Sequence, residues 1–340
     1  MTLFDDNPSN PPEHEPPANV PLEAFASKAL EMRSEEAQRP AELAALPLTG
    51  DPIALAAATP AASFATQALP EDLRISWSWP HLLVFVFFIF ASLIGIQAAI
   101  FAYYSAERHI SLAELSHLME SDPKLLIGMN VLWFALIIFF LYITLAVLRD
   151  SPFWPSLGWK KLKSVPGGGK GRPWMYFLAG TGLSIFVAAA SSRVKEADHL
   201  PIQDFLRNRT GALLLMAMAV FIAPLVEETI FRGYLYPVLA RITSAVLQFF
   251  GMEFSSAIRT GVVSSILMTG GLFGLMHGAQ LGWTWGLVSL LTLVGIVFTF
   301  VRAWTGTVLA SFLLHLGYNS FIAVTSIIVT RGFTHLPPVH

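Results

Sequence analysis

The run Trp79–Tyr104, "WPHLLVFVFFIFASLIGIQAAIFAYY", contains no Asp, Glu, Lys or Arg. An apolar stretch of about 20 residues is long enough, as a helix, to cross the ~30 Å hydrocarbon core of a bilayer. No water is available there to satisfy backbone N–H and C=O groups, so such a stretch must close its hydrogen bonds within itself. Six more stretches read the same way: Leu125–Leu148, Trp174–Ser192, Ala212–Ala240, Thr260–Leu281, Trp283–Val301 and Gly306–Val329. A half-helix near Tyr234–Phe250 is a further candidate. The expected fold is therefore all-α, a polytopic transmembrane bundle of about 7–8 helices. Charged residues make up only 13% of the chain, against about 25% in soluble domains. Trp79, Tyr103, Tyr104, Trp174 and Trp304 fall at the ends of the runs, where amphipathic rings favour the headgroup level.

The N-terminus is of another kind. Residues 1–75 carry twelve Asp and Glu against four Lys and Arg, with Pro- and Ala-rich stretches such as "NPSNPPEHEPPANVP". Too few aromatic and branched side chains are present to build a core, so a disordered acidic tail is expected. The tail starts acidic and has no early apolar run, so no signal peptide is expected and the first spanning helix takes the targeting role. Residues 76–173 read as N-terminal transmembrane helices with a basic loop, and 174–332 as the domain that carries the chemistry. The loop Arg149–Arg172 holds six Lys and Arg against one Asp, and short basic loops stay cytoplasmic. Two helices precede it, so the N-terminus is expected in the cytoplasm. The loop Arg193–Arg209, with four bases, runs against this pattern. There is no cysteine, which excludes disulfides, thiol nucleophiles and Cys-bound metals. The basic residues sit at helix ends rather than in a stripe, so no nucleic-acid partner is expected. Oligomeric state is not legible.

Ionisable groups inside membrane helices cost at least ~2.5–3.5 kcal/mol on insertion scales and mark a bundle interior or a functional site. Three clusters stand out. In "PLVEETIFRGYLYP", Glu228 and Arg232 are spaced i, i+4 and share a helix face. Glu227 points about 100° away and has no charge partner within its own turn. It is free to act elsewhere, or it snorkels to water from a helix end. In "GGLFGLMHGAQ", Phe273 and His277 share a face; His277 is either a site residue or a satisfied core histidine. In "FLLHLGYNS", His315 and Asn319 share a face; they are either site residues or a polar clamp between helices. Together, a carboxylate, two imidazoles and a carboxamide on three helices are the inventory of a hydrolytic site. The carboxylate can take a proton from water, one histidine can hold that water, and the other histidine with the Asn can donate to an oxyanion.

These three motifs, in this order, resemble the type II CAAX prenyl endopeptidase family, the CAAX proteases and bacteriocin-processing enzymes. That family shows Glu-Glu-x-x-x-Arg, Phe-x-x-x-His and His-x-x-x-Asn or Asp. Here they are Glu227-Glu228-Thr229-Ile230-Phe231-Arg232, Phe273 to His277, and His315 to Asn319. The flanking "FRGYLYPVL" and "SLGWKKLK" are similar too, and the likeness runs roughly from Met175 to Thr330, leaving the tail and first helix outside it. The resemblance implies an intramembrane endopeptidase of glutamate type acting on membrane-associated or prenylated protein or peptide substrates. Glu227 would activate water, His277 would position it, and His315 and Asn319 would form the oxyanion hole. Glu228, Arg232 and Phe273 would support the site. No cofactor is implied. Zinc bound by His277, His315 and Glu227 stays open as a His₂Glu alternative, although no His-Glu-x-x-His is present. An inactive membrane scaffold or immunity protein and a transporter also stay open. Transporters usually carry paired repeats, whereas the polar positions here all lie in the second half.

Overall fold

The computed structural model describes residues 69–109, 111, 113–115, 118, 122–162, 164–165, 169–194 and 208–334. Among them, seven helices are long and apolar enough to cross a membrane, so the protein is an all-helical, multi-pass membrane protein. We label α1 Trp79–Arg108, α2 Pro123–Leu141 and α3 Pro173–Ser191. The fourth span, Arg209–Phe249, is composite. It consists of α4 Arg209–Ala217, a π turn Met218–Ile222, α5 Ala223–Glu228, a second π turn Thr229–Leu235 and α6 Tyr236–Phe249. There follow α7 Phe254–Met276, α8 Trp285–Thr305 and α9 Val308–Val329. The basic loop contains a small antiparallel ladder, Ser164–Val165 with Gly169–Lys170.

The fourth span is longer than the expected Ala212–Ala240. Pro237 does not end it, because the preceding turn is π: the Tyr236 N–H reaches back to Phe231 and the helix resumes with Pro237 in its first turn. A proline in a first turn loses nothing, since its N–H would be unpaired there anyway. The half-helix expected near Tyr234–Phe250 is thus the tail of this span and not an eighth one. The span has 41 residues, about 60 Å at 1.5 Å per residue, twice a hydrocarbon core. Its α6 end packs along α7, where a Cβ on Gly261 would strike Ser244 and the Ala240 carbonyl.

Small residues let helices approach where lipid supplies no hydrophobic drive between them. On α3 and α9, a Cβ on Gly180 would meet the Leu314 carbonyl, and one on Gly317 the Phe177 carbonyl. On α7 and α8, Gly270, Gly274 and Gly295 bring the backbones together in the same way. The C-terminal helices therefore pack as a tight α7–α8–α9–α3 array against the fourth span. A separate aromatic and aliphatic core joins α1 and α2 to that span. Trp77, Phe85, Ile137, Leu141 and Leu145 pack against Tyr234 and Val238, with Trp77 stacked on Tyr234 at 5.5 Å and His81 Nδ1 hydrogen-bonded to the Tyr234 hydroxyl at 2.6 Å.

The expected tail, residues 1–75, lies outside the described residues up to residue 68. Its last residues are packed instead of disordered. Leu73 is fully buried against Ala240 and Ile258, and the Tyr236 hydroxyl donates to Asp72 at 3.2 Å. Composition had counted Glu71 and Asp72 as tail acids. In the fold their cations come from distant segments: Lys160 for Glu71 at 2.7 Å and Arg302 for Asp72 at 4.0 Å.

Candidate active site

Glu228 and Arg232 close the i, i+4 pair that their spacing implies, at 3.0 Å and with both side chains fully buried. The pair does not stand alone. Arg232 Nη2 donates to the Gly295 carbonyl at 2.9 Å and Nε to the Thr299 hydroxyl at 3.2 Å. Its guanidinium lies over the Phe273 ring at 4.6 Å and the Phe298 ring at 5.2 Å. A buried charge needs both a partner and filled hydrogen-bond positions, and α8 supplies what the fourth span lacks.

Glu228 also reaches across to α9. Its Oε1 is 3.0 Å from His315 Nδ1. A carboxylate oxygen only accepts, so His315 Nδ1 carries the proton in this contact and Nε2 is left with a lone pair. Nε2 faces Glu227 Oε2 at 3.8 Å and the Asn319 amide Nδ2 at 3.3 Å. The second Nδ2 contact is to the Ala219 carbonyl at 2.7 Å. His315 lies about 10 Å into α9 by helical rise from Val308, deep in the apolar span.

The neighbouring carboxylate is placed differently. The side chain of Glu227 is 18% exposed and, among the described residues, accepts no hydrogen bond. The helix turns it off the Arg232 face, and its Oε2 lies 3.8 Å from His315 Nε2. His277, expected inside a spanning helix, is instead the C-cap of α7. The chain breaks there because Gly278 follows and Gly282 takes a left-handed φ of 55°. The His277 Nδ1 lies 2.8 Å from the Phe273 carbonyl, which again fixes the proton on Nδ1 and leaves Nε2 as an acceptor. Phe273 is the bridge: its ring lies 4.7 Å from that of His277, 5.9 Å from His315 and 5.4 Å from Phe231.

Glu227, Glu228, Arg232, His315 and Asn319 thus form one connected network, and His277 joins it through Phe273. Thr299, Gly295 and the Ala219 carbonyl belong to the same network and were not legible in the sequence. Thr299 sits in an ordinary apolar run, and a backbone carbonyl has no sequence letter. Pro224 and Pro237 were the available signal for the π turns. As for a metal, among the described residues no three His, Cys, Asp or Glu side chains gather as a ligand set. The His₂Glu arrangement of His277, His315 and Glu227 is not formed, and no step is derived through zinc.

Fold and site together describe a polytopic membrane protein with a buried charge network and, beside it, a partly exposed carboxylate. In a scan against family models, residues 209–321 match the family described as type II CAAX prenyl endopeptidase, Rce1-like. The match covers about a third of the chain and contains all seven of the site residues above. No curated protein and no solved structure matches.

Proposed function

We propose that the protein is an intramembrane endopeptidase in which Glu227 is the general base. The observation that carries this is the division between two adjacent carboxylates: Glu228 is fully buried and held by Arg232 and His315, whereas Glu227 is accessible and accepts no hydrogen bond. The family matched by residues 209–321 is one of CAAX prenyl endopeptidases, and that agrees with a substrate that is a membrane-associated or prenylated protein or peptide.

In the first step, a water hydrogen-bonded to His277 Nε2 gives a proton to Glu227, and its oxygen bonds to the scissile carbonyl carbon. The carbonyl electrons move to oxygen. Asn319 Nδ2–H is the donor next to that oxygen, released from His315 Nε2. His315 donates from Nε2 only when its ring carries a second proton, and Glu228 against Nδ1 is placed to balance that charge. In the second step, the C–N bond breaks and the leaving amine takes the proton from Glu227. Preorganised donors in a dry site stabilise such an oxyanion more than water does.

The test is cleavage in reconstituted membranes. A library of peptides with and without a C-terminal prenyl-cysteine motif is offered to wild-type protein and to Glu227→Gln. Cleavage of a peptide bond by wild-type alone supports the proposal. Equal cleavage by both removes Glu227 from the chemistry.

A further inference from the structure

The π turn Met218–Ile222 ends two residues before Pro224, and the two together leave a carbonyl without a backbone donor. In an α-helix the Ala219 carbonyl would receive the N–H of Ala223. Here the Ala223 N–H goes to Met218 instead. In the π register the Ala219 carbonyl would receive the N–H of residue 224, and Pro224 has none. An unmet backbone carbonyl in an apolar helix is costly. Asn319, a hundred positions along the chain, donates Nδ2 to it at 2.7 Å.

That contact does more than fill an acceptor. A carbonyl oxygen cannot donate, so it fixes which end of the Asn319 carboxamide faces it. The other Nδ2 hydrogen is thereby directed to His315 Nε2, 3.3 Å away. We propose that Pro224 is a positioning residue for Asn319: by withholding an N–H from Ala219, it creates the acceptor that orients the carboxamide toward His315. The inference rests on the proposed catalytic role of Asn319 only for its kinetic consequence; the orientation itself stands on backbone hydrogen-bond accounting. It also gives the proline a reason to sit three residues before Glu227, where one serving only as a kink would need no partner on α9.

The test is a double-mutant cycle on the full chain in detergent, with Pro224→Ala, Asn319→Ala and both together. Pro224→Ala restores an N–H at residue 224, so it adds a possible helix bond and should fold. In the wild-type background, Asn319→Ala strands the Ala219 carbonyl and should lower the melting temperature by roughly 2–4 °C. In the Pro224→Ala background the carbonyl has its N–H back, and the same substitution should cost less than half as much. Equal shifts in both backgrounds would overturn the inference. Pro237→Ala, which restores an N–H after the other π turn, serves as the control and should show no coupling to Asn319. Should Pro224→Ala not fold, Asn319→Asp decides. A carboxylate at 319 cannot donate to Ala219, so melting must fall at least as far as in Asn319→Ala, and wild-type melting would sink the proposal.

Kinetics give a separate readout. Pro224→Ala should lower kcat, by up to about 10²-fold for an ångström-scale misplacement, with KM little changed, and should have no further effect once Asn319 is Ala. Coupled melting with wild-type cleavage in every variant would support the orientation and withdraw Asn319 from the reaction. Uncoupled melting would overturn the orientation whatever the cleavage rates.

Discussion

The floor of the site and its mouth follow opposite rules. On the floor, Glu228, Arg232, Thr299 and His315 are buried; Arg232 and His315 both meet Glu228 Oε1, and Arg232 also donates to Thr299 and the Gly295 carbonyl. Among the described residues, Glu228 Oε2 has no hydrogen-bond partner. At the mouth, Glu227, His277 and Asn319 are each partly exposed, and His315 Nε2 faces Glu227 and Asn319 from the floor. Glu227 and Glu228 are consecutive, so the chain changes from one rule to the other within about 100° of helical rotation. A buried charge network is rigid but chemically spent. The groups left free beside it inherit its rigidity and keep their lone pairs. Substitutions on the two sides should therefore fail in different assays.

The largest effect is expected at the mouth. Glu227→Gln keeps the shape and removes the proposed base, so kcat/KM should fall by about 10²–10⁴-fold. The melting temperature should stay near wild-type, because no partner on the floor loses a contact. A large fall in melting temperature with cleavage retained would reverse the division.

The floor should respond in stability. Arg232→Ala leaves Glu228 buried without its strongest cation and strips donors from Gly295 and Thr299. Breaking a buried pair by removing one partner costs about 3–5 kcal/mol, read as a shift in the unfolding midpoint in detergent. Unchanged unfolding would mean that Glu228 and Arg232 are solvated, contrary to their full burial.

The same comparison explains what the sequence could say. The i, i+4 spacing of Glu228 and Arg232 is a local fact, and it forms as read. So are the seven apolar runs, which all become helices; most ends shift by a few residues, and the fourth runs nine residues further, to Phe249. What Glu228 does beyond Arg232 is not local. Its contact with His315 joins residues 87 positions apart, and no period or motif encodes which Glu meets which histidine nitrogen. His277 was misplaced because the apolar run continues to Leu281, while the chain itself breaks at Gly278. The packed stretch Leu69–Ile75 falls in the expected tail because composition counts its acids without their partners on α6, α8 and the basic loop. The two π turns of the fourth span were written only as prolines, which equally allow a kink or a helix start; a third, Tyr142–Val147 after α2, has no proline to mark it.

A smaller effect, again at the mouth, is expected from Asn319→Ala. If its amide meets the oxyanion, kcat should drop by about 10²–10³-fold with KM little changed, since the bond strengthens only in the transition state. A rise in KM at constant kcat would instead make Asn319 a binding residue. The value to compare is that for Glu227→Gln measured on the same substrate, because the two losses should not simply multiply if both act in one step.

The smallest expected effect is none, on removing metal. A catalytic zinc needs three protein ligands converging on one point with a water in the fourth position. Of the three candidate ligands, Glu227 and His315 approach each other, at 3.8 Å. His277 reaches them through the Phe273 ring, and His315 spends its Nδ1 on Glu228. Active protein dialysed at length against a strong chelator should therefore keep its kcat, and metal analysis should find well under one zinc per chain. Loss of activity on chelation, with recovery on adding zinc and not magnesium, would overturn the glutamate mechanism. Glu227 and the two histidines would then become ligands that gather only around the ion, and the mouth, like the floor, would be a closed set of partners.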